Sequence, residues 1–132
     1  MQNAVMNDPL ILRYAQSLVE KQLDSELYRY KSYLRQRIRH TGDFLIGLRN
    51  ESNRPKASLE SFFYPINFDM MVKVSKSMVS NEKKLKMGHL ITHFCDILKG
   101  IANRQTDEEL WGRANKIQEM YNAEWSYQVS SR

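Results

Sequence analysis

Apolar side chains recur every three or four positions near the start of the chain: Leu12, Ala15, Val19, Leu23, Leu27, Tyr30, Leu34 and Ile38. That period is one face of a helix. Asp8 followed by Pro9 is a helix start, because an aspartate caps free backbone N–H groups and a proline at the first helical position loses no bond. The pattern therefore predicts one helix over residues 9–40, with Asp24-Ser25 as a place where it can break and Thr41-Gly42 as its stop.

Asp43 is then read as the cap of a short helix, FLIGLRN, followed by the polar connector ESNRPKAS. Ser58 opens a brief turn through Phe62, Phe63 and Tyr64 that Pro65 ends, and Asn67 starts a helix to about Val79. Ser80-Asn81 restarts the chain into a helix over 82–99, closed at Gly100 with Ile101 as the apolar contact. Thr106 and Glu109 read as a capping box, after which Leu110, Ala114, Ile117, Tyr121 and Trp125 share one face of a last helix.

No segment alternates with period two for long, and no Asn-Gly hairpin pair occurs. The expected fold is all-α: a long N-terminal helical arm with its connector over 1–56, then a three- to four-helix bundle over 57–132.

Charge sharpens this division. The 132 residues carry a formal +5, and residues 1–56 hold ten Lys/Arg against six Asp/Glu, whereas 57–132 hold ten against nine. Seven of the first ten cations are arginine and seven of the second ten are lysine. Arginine offers a planar fork that fits phosphate, while lysine is the ordinary solubilising charge.

The excess centres on YRYKSYLRQRIRH, Tyr28 to His40, and no acid lies between Leu27 and Gly42. On a helix, Lys31, Arg35 and Arg39 fall on one side of the Leu27–Tyr30–Leu34–Ile38 seam, and Arg29, Tyr33 and Arg37 on the other. Unpaired like charges repel, so a neutralising polyanion is the expected partner. His40, Arg49, Arg54 and Lys56 extend the candidate nucleic-acid-binding set toward the connector. A solvated basic face and a lipid headgroup surface are the competing readings, the latter without Trp or Phe anchors.

His89, His93 and Asp96 stand at i, i+4 and i+7, a spacing that could hold a divalent ion. Leu90 stands where HExxH needs its glutamate and no further ligand set is visible, so a plain polar face is expected and no metal or cofactor. Cys95 is alone, which excludes an intramolecular disulfide and reads as a small buried apolar residue. The aromatic clusters read as core, with a subunit interface as the alternative. No apolar run approaches a membrane span, no signal-peptide pattern opens the chain, and a soluble protein is expected. GxGxxG, P-loop, GxSxG and paired-carboxylate patterns are missing from the sequence, so an enzyme is not expected.

A basic helical arm, a Pro-containing joint and a helix bundle in a chain of this length together resemble the major capsid proteins of filamentous archaeal viruses, of the lipothrixvirus type. The resemblance is architectural, spans the whole chain loosely and carries over no individual residue. It implies Arg-rich arms clasping double-stranded DNA in an A-like form, bundles packed outward in a self-associating virion coat, and a paralogous second subunit. It also implies assembly in the host cytoplasm; otherwise a cytoplasmic or nucleoid-associated place is expected. The alternatives are a small helical subunit of a ribonucleoprotein, a recombinase-type DNA-binding domain, and a protein-binding adaptor.

Overall fold

The computed structural model describes residues 7–21, 27–78 and 81–130; the side chains of 21, 27–33, 81–87, 129 and 130 lie outside that description. The described residues form five helices: α1 Pro9–Lys21, α2 Leu27–Ser52, α3 Phe68–Lys76, α4 Asn81–Gln105 and α5 Glu108–Ser130. Two 3-10 turns, Glu60–Phe62 and Pro65–Asn67, lie between α2 and α3. The fold is all-α, with no strand among the described residues.

Asp8 caps α1 as expected: its Oδ1 accepts the amides of Leu10 at 3.0 Å and Ile11 at 3.2 Å. Its second oxygen accepts the Leu59 amide at 2.7 Å, joining the start of α1 to the far side of the connector.

The single helix over 9–40 is two helices. Arg37 Nε donates to the Tyr14 hydroxyl at 2.9 Å, across 23 residues that a straight helix would spread over about 35 Å. The two helices thus lie side by side, and the break expected at Asp24-Ser25 falls outside the described residues. The first part of the stripe is also out of phase. Leu10, Ile11, Tyr14 and Leu18 are buried, whereas Leu12 and Val19 are 47% and 45% exposed. One phase drawn through two separate helices fits only one of them.

The predicted stops at glycine are corrected too. Thr41 and Gly42 lie inside α2, where Thr41 Oγ1 donates to the Arg37 carbonyl at 2.8 Å, and Asp43 is an exposed mid-helix residue rather than a cap. α2 ends at Asn53, whose φ of 60° is left-handed; the Arg54 amide returns to the Arg49 carbonyl at 3.0 Å. α4 likewise passes Gly100 and ends at Thr106, φ 49°, with the Asp107 amide on the Ala102 carbonyl at 2.8 Å. The capping residue of α5 is therefore Asp107, whose Oδ1 accepts the Leu110 amide at 3.0 Å, and Glu109 pairs with Arg113 at 2.8 Å instead.

One apolar cluster joins these elements. Ile11, Tyr14, Phe44, Leu45 and Leu48 meet Phe62, Phe63, Phe68, Met71, Phe94, Leu98 and Ile117, so the core draws on residues before and after the connector. On α5, Leu110, Ala114, Ile117 and Trp125 are buried and Tyr121 half-buried, the face expected of that helix. No described helix is long and apolar enough to cross a membrane.

Candidate nucleic-acid interface

The first half of α2 carries the candidate residues, and the packing of that helix sorts them. Its buried side runs through His40, Thr41, Phe44, Leu45 and Leu48. The opposite side presents Arg35 and Arg39, both exposed and one helical turn apart, about 6 Å along the axis. Neither has an ion-pair or hydrogen-bond partner among the described residues. Asp43, one turn beyond Arg39 and also exposed, ends this basic row.

Arg37 points elsewhere. It is half-buried against α1 with its Nε on the Tyr14 hydroxyl. Tyr14 is itself fully buried, its ring edge-on to His93 at 5.0 Å and tilted against Phe94 at 4.9 Å. A buried tyrosine thus orients one arginine of the basic stretch, a role hidden in the sequence because the apolar stripe drawn through Leu12, Ala15 and Val19 leaves Tyr14 out.

His40 is 3% exposed and sits in the core, turned from the surface that Arg35 and Arg39 share. Arg49 is half-buried and structural, its Nε donating to the Ala57 carbonyl at 2.9 Å and holding the connector against α2. Arg54 is exposed with its guanidinium over the Phe62 ring at 5.2 Å, and Lys56 is exposed beside it in the connector. The backbones of Arg29, Lys31 and Tyr33 belong to α2, and their side chains lie outside the described residues. The candidate side chains that are described therefore resolve into an exposed pair on α2, an exposed pair on the connector, and three engaged in packing.

The histidine row of α4 is a polar face with local partners. His89 is exposed, and His93 Nε2 lies 3.4 Å from Ser17 Oγ, whose own proton goes to the Tyr14 carbonyl at 2.7 Å. Asp96 Oδ1 accepts from Gln118 Nε2 at 2.8 Å. Among the described residues no group of three or more His, Cys, Asp or Glu side chains is placed to hold a metal ion. Cys95 is fully buried, and burial, helped by the neighbouring Asp96 carboxylate, pushes its thiol up to about 12. That sulfur is a neutral packing group at ordinary pH.

An open groove between α1 and α4 was not legible in the sequence. Arg13, Gln16, Ser17 and Glu20 form one wall, and Asp96, Ile97 and Arg104 the other. No family model, no curated protein and no solved structure matches this chain.

Proposed function

We infer that the chain is a non-enzymatic structural protein that binds double-stranded DNA through its phosphates, and that it coats or packages the duplex as a virion capsid protein does. The observation carrying this is the Arg35–Arg39 pair: two guanidinium forks, exposed, one turn apart, on a helix whose opposite side is packed into the core. Arg54 and Lys56 add a second exposed basic point on the connector. Contacts of this kind give affinity and orientation without reading bases, which suits a coat that must cover any sequence. Self-association, alone or with a related second subunit, belongs to the same reading.

The test is duplex binding by fluorescence anisotropy across a salt series. Replacing Arg35 and Arg39 together by glutamine should weaken binding at low salt and reduce the salt slope by about two, since each lost phosphate contact removes roughly one from it. Unchanged affinity and slope would refute the interface. Negative-stain images with long duplex separate the coat from its rivals: a regular filament supports it. Preference for single-stranded RNA supports a ribonucleoprotein subunit, and no nucleic-acid retention supports an adaptor.

A further inference from the structure

The face of α1 that turns from the core has a pattern of its own. Leu12 is 47% and Val19 45% exposed, with Ala15 half-buried and the exposed Gln16 between them. Single exposed aliphatics are ordinary, but two of them two turns apart on one helical stripe form a seam. Beside it stand Arg13 and Glu20, both exposed, seven residues apart and hence on one rim of the seam. Arg13 has no ion-pair or hydrogen-bond partner among the described residues, and Glu20 accepts only a long bond from Gln16 Nε2, 3.4 Å.

We propose that this face of α1 pairs with the same face of a second copy of the chain, antiparallel about a two-fold axis near Gln16. Such an axis places Leu12 against the partner copy's Val19 and brings Arg13 to the partner copy's Glu20, twice over. A two-fold contact must be self-complementary, and a positive and a negative residue equidistant from the axis meet that condition. Parallel pairing about a two-fold along the helices would instead put the two Arg13–Glu20 rims on opposite sides of the seam, where these charges do not meet. The same rim borders the groove to α4, whose Asp96 and Arg104 add one charge of each sign and leave the balance unchanged.

The size of the seam sets its strength. Two aliphatic side chains per copy on a 13-residue helix fall well short of the roughly 1,200 Å² of a stable interface. The dimer is therefore weak and salt-sensitive, and it requires no nucleic acid, so its failure and that of the phosphate reading are separable.

Sedimentation equilibrium of the full chain from roughly 10 μM to 1 mM at low salt tests it, that range spanning weak association. The wild type should pass from monomer to dimer. Arg13→Glu alone, or Glu20→Arg alone, should weaken the dimer by about tenfold or more, because each creates two like-charge contacts. The double variant carrying both reversals, and an equimolar mixture of the two single variants, should recover it. Exposed positions tolerate these changes, and circular dichroism verifies that each variant is folded. A wild type that stays monomeric throughout, or a dimer indifferent to the reversals, overturns the proposal.

Discussion

Cys95 shows at the scale of one residue how burial becomes a pH dependence. Its thiol is held near 12 in the fold against about 8.5 in an unfolded chain. The unfolded state therefore releases the proton first as pH rises. The stabilisation is intact below about 8.5 and is lost as pH climbs through 12. Urea titrations between those limits should show a steeper decline for the wild type than for Cys95→Ala, and the native thiol should resist alkylation at pH 8. Asp8 at the same scale was fully legible, because a helix cap is a local contract between one side chain and the amides two and three residues on. Its third bond, to Leu59, was not, since nothing in a local pattern points across 51 residues.

Glycine carries the lesson at the scale of the element. Gly42 and Gly100 read as stops, yet both lie within helices, and the two left-handed ends fall on Asn53 and Thr106. Glycine permits an ending without requiring one: α2 runs on through the buried Phe44, Leu45 and Leu48, and α4 adds one further turn in which only Ala102 is buried. Gly47 instead serves contact: a Cβ there would sit 2.6 Å from Val74 Cγ1, where α2 crosses α3. Gly112 on α5 faces nothing within 4 Å. Two substitutions of the same chemistry should therefore differ in sign. Gly112→Ala should stabilise by up to about 1 kcal/mol from helix propensity. Gly47→Ala should destabilise by about 1–3 kcal/mol through overpacking, as chemical denaturation would measure. The capping box missed by one position for a related reason: Thr106 was spent on ending α4, so the cap fell to Asp107.

For the whole molecule, the sequence made helix content and the α5 face readable, because each depends on neighbours within two turns. Pairing between distant helices was not readable, and that pairing decides which arginines reach the surface. Helix periodicity already sets Arg37 across the seam from Arg35 and Arg39; that its side is the one α1 covers, through Tyr14, shows only in the structure. A core that spans the connector should melt as one unit. Far-ultraviolet dichroism, reporting all helices, and the fluorescence of Trp111 and Trp125 on α5 should give coincident urea transitions. Separate midpoints would show that α1 and α2 unfold apart from the rest.

The bond from the Leu59 amide to Asp8 makes that amide a sentinel. Its hydrogen is shielded by a carboxylate that leaves whenever α1 lifts away, so its exchange with deuterated solvent clocks the opening of the first helix from a position outside that helix. Ligands or mutations that loosen or fasten α1 will be heard first at Leu59.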